Sequence, residues 1–251
     1  MKKIIVTILA FSTISLVACN KQKQEIEDNT NTPEKNFEKF LQINEAPLQF
    51  YWIYENPNSE NKTGSFRAYQ KERVVDKIEV NEDWSVNLNE NKYIKTLSES
   101  DLQVLNLGQS WNINAIASNS ANINNNTFQV SSALQVDFDL YDGINSVNPN
   151  QGFVIYFDSQ IPNYNENSGS AKQVVLYSYN AHYDIHAFTS FDLDADKNSL
   201  SIHPEDLIAF QQFNTIEIHV FEKEIMNIDW FDERGKLYWV TKQKYKFPFK
   251  I

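Results

Sequence analysis

Cysteine is nearly missing from this chain: Cys19 is the only one in 251 residues. No disulfide can form within the molecule, so the fold must be held by its core alone. Glycine is scarce as well, at six residues, which leaves little material for the loops that cradle phosphate. Neither Gly-x-Ser-x-Gly nor His-Glu-x-x-His occurs, so the common serine-hydrolase elbow and zinc-protease helix are absent. Positive charge is in deficit, with 22 Lys and Arg against 33 Asp and Glu and a formal net charge of −11 at pH 7. Nucleic acid and anionic lipid are therefore excluded as expected partners, because both need a basic surface. After Cys19 no apolar run is long enough for a membrane-spanning helix.

What is present begins with a three-part leader. Lys2 and Lys3 form a short positive region. An apolar run follows from Ile4 to Leu16, broken by Thr7, Ser12, Thr13 and Ser15, and then comes Leu16-Val17-Ala18-Cys19. A run of this length fits a cleaved secretory signal. Its tail resembles the lipobox of bacterial lipoproteins: an aliphatic residue, two small or aliphatic residues, then Cys. The resemblance covers only this segment. It implies that 1–18 are removed, that Cys19 is acylated, and that the mature chain is held by lipid in the cell envelope, with the outer membrane as the expected site. Acylation would account for the lone cysteine and remove it as a catalytic nucleophile. Without Lys2 and Lys3 the balance becomes 20 basic against 33 acidic residues.

Residues 19–36 are polar and read as a lipidated tether, since they hold too little apolar surface to order themselves. Their cluster Glu25, Glu27 and Asp28 is similar to charged segments that route some lipoproteins to the outer face of the outer membrane, and reads first as solvated linker. From Leu48 onward the hydrophobic period is 2. It predicts strands over 48–54, 65–70, 74–80, 111–117, 127–140, 153–157, 173–179, 185–193, 200–202, 215–221, 226–231 and 237–243. Short helices are expected over 37–43, 98–105 and 204–210. Asp232-Glu233-Arg234-Gly235-Lys236 reads as a hairpin with Gly in the left-handed position.

Many short strands between turn signals predict an all-β fold. The passage 188–222 runs strand, acidic turn, strand, one helical turn opened by Pro204, then strand. This is similar to the strand E, short helix, strand F passage of immunoglobulin-like sandwiches, where the turn lets the chain change sheets. The tyrosine-corner position is not matched, since Ile216, Ile218 and Val220 occupy the strand. The expected organisation is a smaller β-rich N-terminal region over 37–105 and an immunoglobulin-like β-sandwich over 106–251. Leu207, Phe210, Ile216, Ile218 and Val220 are expected in its core, with Glu217 and His219 facing water or a partner.

Two constellations invite a metal reading. His182-x-Asp184-x-His186 on one extended strand would project two imidazoles and a carboxylate to one face, as zinc requires. The same alternation is what a half-buried strand with a wet face looks like. Asp192-x-Asp194-x-Asp196-x-Asn198 is similar to the start of a calcium loop, but Lys197 stands where the turn needs Gly and His203 where a bidentate Glu belongs. An acidic hairpin turn explains it equally, and no cofactor is expected. The five Trp with 12 Tyr and 17 Phe suggest sugar stacking on exposed rings, or simply a sandwich core. In Tyr51-Trp52, Trp230-Phe231 and Tyr238-Trp239 one member of each pair is expected to point outward. No ligand-binding residue is singled out.

The expected function is a non-catalytic, membrane-anchored binding or assembly module of the envelope, with a glycan or an envelope protein as partner. The alternatives are an accessory subunit of a larger envelope complex and an extracytoplasmic hydrolase. Carboxylate pairs for glycoside hydrolysis come from distant strands, so spacing along the chain does not identify them.

Overall fold

The structure, a computed structural model, describes residues 32–41, 46–117, 123–141, 145–158, 170–182, 185–194 and 196–250. The signal segment 1–18, Cys19 and the tether to residue 31 lie outside the described residues. Helix α1 (Pro33–Leu41) is followed by β1 (Leu48–Glu55), β2 (Thr63–Gln70), β3 (Val75–Val80), β4 (Trp84–Asn87) and β5 (Lys92–Thr96). Helix α2 (Glu99–Val104) precedes β6 (Ser110–Ala117), β7 (Ile123–Gln129), β8 (Gln135–Asp139), β9 (Phe153–Asp158), β10 (Ala171–Asn180), β11 (Ile185–Asp194) and β12 (Ser199–Ile202). A 3₁₀ helix, Pro204–Phe210, leads into two 16-residue strands, β13 (Thr215–Trp230) and β14 (Glu233–Pro248). The chain is all-β in class, as its period of 2 predicts.

The described strands form three sheets. A seven-stranded sheet runs β11-β10-β13-β14-β1-β2-β5, a four-stranded one β4-β3-β6-β7, and a three-stranded one β12-β9-β8. Two cores follow from this layout. The first holds residues of β1–β4, β6 and β7 together with Ile228, Trp230, Leu237 and Trp239, so the four-stranded sheet packs on one stretch of the long sheet. The second holds Phe153, Ile155, Val174, Leu176, Leu207, Phe210, Ile216, Ile218 and Val220, so the three-stranded sheet packs on another. Strands β13 and β14 reach through both. The 3₁₀ helix carries the chain from β12 in the small sheet to β13 in the large one, with Leu207 and Phe210 buried as expected.

The expected boundary at 105/106 falls inside the first of these halves. Strand β3 pairs with β6 across it, and β1 pairs in parallel with β14. Period-2 alternation marks which residues lie on a strand but not which strand lies beside it.

Helix α1 covers the opposite face of the long sheet. Phe37, Phe40 and Leu41 pack there on Tyr51, Ile53, Val175, Phe221, Ile225, Tyr238 and Val240. Each such burial contributes about 1.5–3 kcal/mol. The helix starts four residues before the expected 37, inside the expected tether. Thr32 accepts the first backbone bond from Asn36 and Pro33 takes the position where a missing N–H costs nothing. Lys223 of β13 closes its other end, donating from Nζ to the Phe40 carbonyl at 2.7 Å. Helix α2 opens as expected at Ser98, whose hydroxyl accepts from the Asp101 N–H while Asp101 accepts from the Ser98 N–H.

Other expectations are corrected. The long strand over 127–140 is two strands, β7 and β8, joined by a linker that crosses from the four-stranded to the three-stranded sheet. The separate strands over 215–221 and 226–231 are one strand, β13. Its hairpin with β14 turns at Phe231 and Asp232, both left-handed at φ 54° and 65°. Gly235 instead lies in β14 opposite Leu48 and Ile228, where a Cβ would stand 2.8 Å from the Leu48 Cβ. It is required there for close approach.

Candidate functional site

A polar seam divides the two cores on the long sheet. Alternation along β13 puts Glu222 and Glu224 on the same face as Ile218 and Ile228. Lys172, Thr241 and Gln243 complete the seam, all of them buried. Its position is explained by the linker between β7 and β8, whose Val130 and Leu134 are buried over the sheet. Backbone groups withdrawn from water need partners. The Ser131 N–H and hydroxyl donate to Oε2 of Glu224, and the Leu134 carbonyl accepts from Gln243 Nε2 at 2.7 Å and Asn58 Nδ2 at 2.9 Å. Burial raises the Glu224 pKa, and the Ser131 bonds oppose that shift.

The seam ends at Lys172, beneath the acidic turn between β11 and β12. Its ammonium donates to the Lys197 carbonyl at 2.8 Å and lies 5.9 Å from the centre of the Phe157 ring. Burial lowers its pKa, while the charges of Glu222 and Asp196 hold it up. Asp192 and Asp194 sit on β11 opposite Gln173 and Ala171. Asp192 accepts from Gln173 Nε2, and Gln173 in turn accepts from Asn36 of α1. The calcium-like pattern is thus spread over a strand and a turn whose Lys197 carbonyl is already bonded to a buried ammonium.

The His182-Asp184-His186 alignment is not formed on one strand. Asn180 ends β10 and accepts from the His182 N–H at 3.0 Å, a side-chain-made turn. His186 lies on β11 opposite Tyr179, and Asp184 is outside the described residues. Among the described residues no three His, Cys, Asp or Glu side chains are grouped as a metal site would need.

Two clefts flank the acidic turn. One, about 500 Å³, opens between α1 and the β10–β11 edge, lined among others by Asn36, Phe40, Gln173, Asp192, Asp194 and Lys223. The other, about 460 Å³, lies on the rim of the three-stranded sheet, lined among others by Gln135, Asp137, Tyr156, Asp158, Asn198 and Ser199. Both fall within the size range of small-ligand sites. In the second, Tyr156 is 47% exposed and stands in register between Asp137 of β8 and Ser199 of β12, with Gln135 opposite Asp158 one step along. Buried Phe157 forms part of its lining.

The five Trp do not form a surface platform. Trp52, Trp84, Trp111, Trp230 and Trp239 all lie buried in the first core. Both members of Tyr51-Trp52 and Tyr238-Trp239 are buried because α1 covers the second face of the sheet. Phe231, next to Trp230, is in the hairpin turn. His219, expected to face water or a partner, is 2% exposed and packs beside Phe221, their ring centres 6.3 Å apart. Glu217, two residues away on the same face of β13, accepts from Lys244 at 2.8 Å. Alternation does not single out the buried charges, because Glu222-Lys223-Glu224 interrupts an apolar stretch and falls between the strands expected over 215–221 and 226–231. The signal against that is the lack of any Gly, Pro, Asn or Asp between Phe221 and Met226.

No protein family matches the chain, and no curated protein matches it in sequence.

Proposed function

We propose that the chain is a membrane-anchored, non-catalytic binding module of the bacterial cell envelope, and that its ligand is a hydroxyl-rich glycan taken at the rim of the three-stranded sheet. Anchoring rests on Leu16-Val17-Ala18-Cys19. The binding reading rests on Tyr156: an exposed ring set in register between Asp137 and Ser199, with Gln135, Asp158 and Asn198 around the same cleft. Sugar rings stack on such a face while amides, carboxylates and hydroxyls bond their hydroxyl groups.

The same proposal takes the C-terminal half as immunoglobulin-like. Strands β8, β9 and β12 take the places of A, B and E; strands β11, β10, β13 and β14 take those of C′, C, F and G. The 3₁₀ helix then occupies the E-to-F passage. On this reading the Tyr156 cleft lies on the outer side of the A-B-E sheet.

Retention of the full chain on immobilised envelope polysaccharides tests the function. The expected result is retention by at least one polysaccharide, reduced about tenfold or more by Tyr156→Ala, as loss of a stacking contact and its neighbours' alignment implies. Retention by none, or retention unchanged in the variant, overturns it. Cys19→Ser should move the protein from the membrane to the soluble fraction; persistent membrane association overturns the anchoring. The alternative of an assembly subunit draws on a separate feature, the edge of β11, which no described strand pairs.

A further inference from the structure

Among the described residues, strand β11 ends the seven-stranded sheet. All ten of its residues pair with β10 without a break in register, so the edge is long and regular. Edges of this kind are normally blunted by lysine, proline, a bulge or short length. The opposite edge of the same sheet follows that rule: β5 has five residues, two of them Lys92 and Lys95. Strand β11, Ile-His-Ala-Phe-Thr-Ser-Phe-Asp-Leu-Asp, contains no Lys, Arg, Pro or Gly.

The strand is also complementary to itself. Placed antiparallel to a second copy about a two-fold axis at Thr189, Ile185 meets Leu193, His186 meets Asp192, Ala187 meets Phe191, and Phe188 meets Ser190. Thr189 meets Thr189. One face thus gains aliphatic and aromatic pairs, and the other gains two equivalent His–Asp pairs. Cross-strand pairs of these kinds stabilise a sheet, and like charges placed opposite one another do the reverse. Within 185–193 the only ionic pairs join His186 to Asp192, and Asp194 lies beyond this paired stretch. Pairing that repeats about a two-fold axis closes on itself at two chains.

We infer that β11 is a dimerisation edge whose occupant is the β11 strand of a second copy, joined antiparallel in the register centred on Thr189. The two seven-stranded sheets then become one continuous sheet, and His186 of each copy reaches Asp192 at the margin of the other's α1 cleft. This interaction is independent of the glycan site, which lies on the three-stranded sheet, so either proposal can fail alone.

Light scattering on the full chain, with Cys19→Ser to remove the lipid and the native thiol, is expected to give twice the mass of one chain. His186→Glu sets Glu against Asp192 and is expected to return the mass to that of one chain. Asp192→Lys removes the other half of each pair with the same result. Mixing the two variants restores one Glu–Lys and one native His–Asp pair, and the doubled mass is expected to return. With the Cys19→Ser change, Thr189→Cys places a thiol opposite itself and is expected to cross-link on oxidation well ahead of Ser190→Cys, which faces Phe188. A single-chain mass at every concentration overturns the proposal. So does a dimer indifferent to both charge changes, or cross-linking equal at the two cysteine positions.

Discussion

Lys172 on β10 and Glu222 on β13 stand opposite one another in an antiparallel ladder, and both are almost wholly buried, at 2% and 5% exposure. Two opposite charges withdrawn from water are tolerable only together. Removing one leaves the other desolvated and uncompensated, which costs about 3–5 kcal/mol, whereas replacing both with apolar groups of similar volume is close to neutral. Lys172→Met is therefore expected to destabilise the protein by that amount. Adding Glu222→Leu should recover most of the loss. Urea unfolding of the two single variants and the double variant measures the coupling. Additive losses would show that the two charges do not depend on one another.

His219 supplies a pH prediction. Burial beneath the α1 side of the sheet pushes its pKa down from the ordinary 6.5 to about 4, with the Lys244 ammonium adding to the shift and the Glu217 carboxylate opposing it. The unfolded chain therefore takes up a proton that the folded chain refuses between these two values. The corresponding stability is complete above pH 6.5 and falls on acidification toward pH 4, at about 1.4 kcal/mol per pH unit at most. Urea midpoints across this range should fall more steeply for the native chain than for His219→Gln, which has nothing to protonate. Equal slopes would mean that folding does not lower the pKa of the imidazole.

The β13–β14 hairpin gives a prediction of opposite signs within a few residues. Gly235→Ala would bring its Cβ to 2.8 Å from Leu48 and 2.9 Å from Ile228. Overpacking of this kind costs about 1–3 kcal/mol. Asp232 holds a left-handed φ of 65°, which Gly adopts without strain, so Asp232→Gly should gain about 0.5 kcal/mol. Thermal melts of the two variants should therefore move apart. The reverse order would restore Gly235 as the turn residue.

That hairpin also shows where the sequence is readable and where it stops. Alternation located most strands within a residue or two, because burying one face of a strand is a local matter. Leu207 and Phe210 could be placed in a core from the spacing of a single helical turn. Partner choice is not local. Nothing in Leu48–Glu55 announces that it lies parallel to a strand almost 190 residues later. Nor does anything near Trp52 announce that α1 covers the other side of its sheet. The acidic turn is visible as a cluster, but Lys172 beneath it is not, since it falls outside the strand expected over 173–179 and a Lys at a strand end reads as solvent-facing. Tyr156 was hidden for the same reason in reverse: an exposed Tyr and a buried one look alike until the sheet's outer face is known.

The sharing of β13 and β14 between the two cores leads to the last prediction. All five Trp lie in the first core, and the second contains none. Tryptophan fluorescence therefore reports the half built around the four-stranded sheet. Phe210 lies in the other half, fully buried beside Leu207 and Ile216. Truncating it to Ala should cost about 3–5 kcal/mol. Were the halves independent, that loss would leave the fluorescence melt where it stands and lower only a part of the circular dichroism signal. Strand β13 instead runs from Ile216 in one core to Trp230 in the other, with β14 paired along all 16 residues. Loosening its first half frees the strand that the Trp core packs upon. Phe210→Ala is expected to lower the fluorescence and dichroism midpoints together, by about 10 °C for a chain of this size. A dichroism transition that splits in two, with the fluorescence midpoint unmoved, would show that the polar seam of Glu222, Glu224, Thr241 and Gln243 uncouples the two cores.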